Sequence, residues 1–110
     1  MINIVNLIGT PNAILHQLGI RVFIEANKYA SMNHEIIFDL SGVANLTSGF
    51  CNAAFGQIFT EHPDINTSKI SFINIDKSSI WFEKIQDSIE LAKNPDRAKL
   101  IDETILALFD

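Results

Sequence analysis

Cysteine is nearly missing from this chain: Cys51 stands alone among 110 residues. No internal disulfide can form, and a lone thiol fits a reducing compartment. Glycine is sparse too, and the five present are nowhere spaced as GxxxxGKS or GxGxxG. Those patterns bring backbone amides close to phosphates, so nucleotide chemistry of either kind is not expected. Basic residues number eight against thirteen acidic ones, giving a net charge of −5, and they are scattered. Without a Lys/Arg cluster to neutralise phosphates, nucleic acid is not the expected partner. No apolar run approaches the roughly 20 residues of a membrane span. The opening MINIVNLIGT lacks the basic flank and long apolar core of a signal peptide. A soluble cytoplasmic domain is expected.

What is present is apolar. Hydrophobic residues make up 47% of the chain and charged ones 19%, which excludes general disorder and supports one domain spanning residues 1–110 with a real core. Ile2–Ile8 is an apolar run without helical period, predicted as a strand. Thr10-Pro11 predicts a helix start, with Thr10 as N-cap and Pro11 at the first helical position. Ile14, Leu15, Leu18, Val22, Ala26 and Tyr29 then form one helical stripe. Gly19 weakens that helix by about 1 kcal/mol relative to alanine, which leaves a later start open.

The next strand is predicted at Glu35–Leu40, its continuous apolar run suggesting burial on both faces. Phe50, Cys51, Ala53, Ala54, Phe55, Ile58 and Phe59 give a second helix with a wide apolar face, stopped by Pro63. Lys69–Ile75 predicts a third strand, and Ser78 or Ser79 opens a helix carrying Ile80, Trp81, Ile85, Ile89 and Ala92. A last helix follows Pro95, with Leu100, Ile101, Ile105, Leu108 and Phe109. This alternation predicts an α/β fold: a small, mainly parallel sheet with crossover helices and an extra C-terminal helix. The strands at Glu35–Leu40 and Lys69–Ile75 are expected to be parallel neighbours. Phe38, Ile58, Phe72, Ile73 and Ile85 are the expected core.

Chemistry-bearing residues are few. His16, His34 and His62 stand apart, without the spacing of a helical metal site. No metal, cofactor or catalytic residue is expected. His62 precedes Pro63 at a helix end, where it meets the helix dipole favourably. Cys51 lies near a helix start that would favour a thiolate, yet it continues the apolar face of Phe55 and Phe59. That placement favours a buried thiol. Asp39 ends a strand, where it either serves a site or fixes the turn through Ser41-Gly42. Ser48, or Thr47 beside it, caps the second helix. As a phosphoacceptor, Ser48 would instead place about two negative charges at a helix start.

The segment FDLSGVANLTSGF resembles the signature of STAS domains, found in anti-sigma-factor antagonists and as appendages of sulphate transporters. It is closer still to a STAS-like family of unknown function, which reads D-F-x-G-V, a spacer, then S-x-S-F and a helix. Asp39, Ser41-Gly42-Val43 and Thr47-Ser48-Gly49-Phe50 occupy those positions without a gap. The resemblance implies a STAS-like α/β fold and a regulatory ATPase or kinase of the anti-sigma type as the kind of partner. The serine that antagonists phosphorylate falls here on Gly49, which has no hydroxyl; Ser48 lies one residue away.

Three readings of function follow. The first is a non-enzymatic protein-binding module that docks through the Ser41–Phe55 loop and helix, with Asp39, Ser41, Thr47, Ser48, Gly49 and Phe50 as the candidate contacts or phosphoacceptor. The second is a small-anion or nucleotide receptor, or a weak enzyme, built on the helix start at Thr47–Phe50. The third is self-association as a homodimer, through a strand edge or the C-terminal helix.

Overall fold

The computed structural model describes residues 1–94. In chain order its elements are β1 (Ile2–Asn3), α1 (Ile4–Ile8), β2 (Asn12–Ala13), α2 (His16–Ser31), β3 (Ile36–Asp39) and β4 (Asn45–Leu46). A long helix follows, made of α3 (Ser48–Cys51), a π-helical stretch (Asn52–Gly56) and α4 (Gln57–Glu61). A 3-10 turn (Thr67–Lys69), β5 (Ile70–Ile73) and α5 (Ile80–Lys93) complete it. The helix expected beyond Pro95 lies outside the described residues.

Ile36, Ile37 and Phe38 are branched or aromatic and suit a pleated strand. They form the centre of a three-stranded parallel sheet ordered β1-β3-β5, with Ile2 opposite Phe38 and Phe38 opposite Phe72. The expected parallel pairing of β3 with β5 is present. Strands laid down in sequence by right-handed crossovers carry their helices on one face, and the burial follows. Ile2, Ile36 and Phe38 are buried, whereas β5 alternates between half-buried and exposed positions. Ile73 was expected in the core; it lies on the uncovered face and is 38% exposed. Phe72, on the covered face of an edge strand, is half-buried. Phe38, Ile58 and Ile85 are core as expected.

The long helix is the middle of the helical layer. A π turn holds an extra residue, so more successive side chains can turn inwards; Ala53, Ala54, Phe55 and Gly56 are all buried. Phe55 meets Phe38 edge-on at 4.8 Å, and Phe72 at 5.2 Å. α2 packs on one flank at Gly19, where an added Cβ would lie 2.8 Å from the Ala53 Cβ. α5 packs on the other at Gly56, where a Cβ would lie 3.0 Å from the Ser88 carbonyl oxygen.

Two expectations near the N-terminus are overturned. The run Ile2–Ile8 is a strand only at Ile2–Asn3, because Asn3 caps a short helix by accepting the Asn6 amide at 2.9 Å. Gly9 closes that helix at φ 76°. The predicted helix start at Thr10-Pro11 is also absent. The Thr10 hydroxyl accepts the Asn12 amide at 3.2 Å in a local turn, and Asn12–Ala13 pairs in parallel with Asn45–Leu46. The helix begins instead at His16, with Leu15 as an N-cap that offers no side-chain hydrogen bond. No helix among the described residues is long and apolar enough to cross a membrane.

Candidate functional site

The loop from Asp39 to Phe50 is built around one carboxylate. Asp39 sits at the carboxyl end of the central strand and is 9% exposed. Its Oδ1 accepts the Ser41 amide at 2.9 Å, the Ser41 hydroxyl at 2.7 Å and the Asn74 side-chain amide at 2.8 Å. Its Oδ2 accepts from the Asn3 side chain at 3.2 Å. One side chain thus ties together the ends of β1, β3 and β5. The turn continues through Gly42, whose φ of 80° suits glycine. These donors, Asn74 first and Ser41 next, hold the Asp39 carboxyl at about 2, well below the usual carboxylate value.

The pH dependence follows from that depression. Carboxylates whose pKa is lowered on folding stabilise the native state above their unfolded value, near 4, and lose that contribution as pH falls towards the folded value. A wild-type melt is therefore expected to fall between about pH 4 and pH 2. Asp76, lowered for the same reason by Ser78, acts in the same direction. In Asp39→Asn the fall over that window should be shallower, leaving the part due to Asp76. Parallel curves for the two proteins would show that Asp39 keeps an ordinary pKa.

Beyond the turn, the loop is held against the start of α2. The Thr47 amide donates to the Ala13 carbonyl at 3.1 Å, and its hydroxyl donates to the Ile14 carbonyl at 2.9 Å. The same hydroxyl accepts the Phe50 amide at 3.3 Å and so caps the long helix. Thr47, of the two residues considered, is the cap. Ser48 and Gly49 occupy the first exposed turn. Phe50, placed among the candidate contacts from its sequence position, is fully buried and anchors the loop to the core. Asp39 and Ser41 are engaged with one another. The exposed remainder of the loop is Ser41, Gly42, Ala44, Asn45, Ser48 and Gly49.

Cys51 is fully buried, and desolvation pushes its thiol up to about 12, which disfavours the thiolate and fits the buried thiol expected from the apolar face. His62 is half-buried, with Nε2 at 2.6 Å from the Asn27 amide oxygen, a contact that joins the end of α4 to α2. The sequence reading missed the exposed aliphatic residues beside the loop. Ile14 and Leu15 are 45% and 56% exposed where a capped helix start was expected, and Ile20 and Ile24 remain open one turn apart on α2. The helical stripe placed Ile14 and Leu15 inside; the later start of α2 turns them out.

A parallel sheet under a single helical layer, with an Asp-Leu-Ser-Gly-Val turn leading into a capped helix, is the arrangement of STAS-like domains. The chain belongs to the family described as STAS-like domain of unknown function, whose profile matches residues 19–79. No curated protein and no solved structure matches it.

Proposed function

We propose that this STAS-like domain is a non-enzymatic regulatory module that binds a protein partner through the exposed loop at Ser41–Gly49 and the first turn of the long helix. The observation that carries this reading is the division of labour within the loop. Asp39, Thr47 and Phe50 fix it to the sheet, to α2 and to the core, while Ser48 and Gly49, whose carbonyls accept the Asn52 amide within the helix, are exposed. A rigid, presented surface loses little conformational freedom on docking. The partner suggested by the family resemblance is an anti-sigma-type ATPase or kinase, occluded by the contact.

Because Thr47 is the cap, Ser48→Ala should change stability by no more than about 0.5 kcal/mol. Ser48→Asp should fold at least as well, since an acid in a first helical turn suits the dipole. Affinity capture with the wild type, Ser48→Ala and Ser48→Asp forms tests the docking. The aspartate form is expected to lose bound protein, because its charge must be desolvated at the contact. Equal capture by all three would remove the loop from the interface.

A further inference from the structure

The helical layer stops short of the edge of the sheet. α5 packs back onto the long helix at Gly56, and among the described residues no strand pairs with the outer side of β5. A hollow of about 370 Å³ runs between them, floored by Ile70 and Phe72 of β5 and walled by Phe82 and Ile89 of α5. A cavity of roughly 150 Å³ already accepts a benzene ring, so more than one side chain is needed to fill this one. Apolar surface beside an unpaired strand edge is what native proteins cover.

The chain leaves α5 at one end of this hollow. Lys93, the last residue of α5, lines it together with Phe59, and its ammonium lies 5.2 Å from the centre of that ring. Asn94 then departs from the helical conformation at φ −126° and ψ 69°, and Pro95 cannot continue a helix. The apolar residues that follow repeat the spacing of the groove wall. Phe82, Gln86 and Ile89 stand at i, i+4 and i+7 along α5. Ile101, Ile105 and Leu108 stand at the same intervals, and Lys99, Glu103 and Asp110 fall on the opposite side of a helical wheel. At the helical rise each set spans roughly 10 Å, or two turns. Residues 94–97 provide a connection of the length that usually joins antiparallel helices. A second hollow, at Pro63, Ile65 and Leu91, meets α5 only over its last turn and is too short for that stripe.

We propose that residues 98–109 lie in this groove as a helix antiparallel to α5, with Ile101, Ile105 and Leu108 seated between α5 and β5, so that the chain covers its own sheet edge. The proposal goes beyond the protein-binding reading and does not depend on it. A nitroxide attached through Asp110→Cys in the whole ¹⁵N-labelled chain reads the placement, while the buried Cys51 stays unlabelled. The amide signals of Phe72 and Phe82, at the end of the groove away from Lys93, should be strongly broadened, and those of α2, across the long helix, should keep their intensity. A mixture of spin-labelled unenriched chain with unlabelled ¹⁵N chain should show no broadening at Phe72 or Phe82. Adding Ile105→Asp to the labelled chain should restore both signals. The same substitution should open the groove to anilinonaphthalene sulfonate, a dye that binds exposed apolar surface, and the dye should then shift the amides of Ile70 and Ile89. Asp110→Cys alters no apolar residue, so its reading stands even if Ile105→Asp fails to fold. The proposal is overturned if Phe72 and Phe82 keep their intensity, if Ile105→Asp leaves the broadening unchanged in a folded chain, or if the dye shifts the groove amides of the wild type. Broadening in the mixture overturns it as well, in favour of a second copy seated in the groove.

Discussion

Replacing Phe38 with alanine is expected to lower the stability of the domain by about 3–5 kcal/mol, the range for deleting a fully buried aromatic ring. Phe38 is completely buried at the centre of the middle strand. Its ring stacks on Phe72 at 5.3 Å and meets Phe55 edge-on at 4.8 Å. Both neighbours are fixed by their own backbones, one in an edge strand and one in the π-helical stretch, so neither can swing far into the space left behind. Domains of this size have about 5–15 kcal/mol in total, and the loss should be plain in a denaturant or thermal melt. A change below about 1 kcal/mol would mean that the ring is not enclosed as described. Phe72→Ala should cost less, because that ring stands on an edge strand and is only half-buried.

The second large effect runs against helix propensity. Gly19→Ala should favour an isolated helix by about 1 kcal/mol. In this chain the added Cβ would lie 2.7 Å from the Phe50 carbonyl oxygen and 2.8 Å from the Ala53 Cβ. Neither atom belongs to the far end of a flexible side chain, so α2 and the long helix must separate. Overpacking of this kind typically costs about 1–3 kcal/mol, and a net destabilisation is expected, larger again for Gly19→Val. The measurement is the denaturant midpoint at unchanged m-value. A midpoint that rises would show that the helices yield without strain.

Gly19 also illustrates what sequence alone conveys. Its helical position was visible; its role was not, because the contact that demands it lies across the fold at Phe50 and Ala53. The strand at Ile36–Asp39 and the helix after Ser79 were legible because each joins a clear apolar pattern to a polar stop. Ile2–Ile8 misled because a branched apolar run fits a strand or a buried helix equally well. The signals that divide it, Asn3 as cap and Gly9 as closing residue, were present but local. Ile73 misled differently, since whether a strand has one covered face or two depends on where the crossovers pass. At the candidate site, the Asp39–Ser41 turn was readable from spacing. The ties to Asn3 and Asn74 join residues 36 and 35 positions away, beyond the reach of any local pattern.

Those two separations have a kinetic meaning. The entropy of closing a loop grows only with the logarithm of its length, so β1 and β5 face nearly the same closure penalty in reaching β3. Neither join spans the whole sheet, and each brings its own helix into contact as it forms. Assembly can thus proceed by two similar steps from the middle strand outward. Asp39 collects a hydrogen bond from each arriving strand, and its full set of partners exists only once both steps are complete.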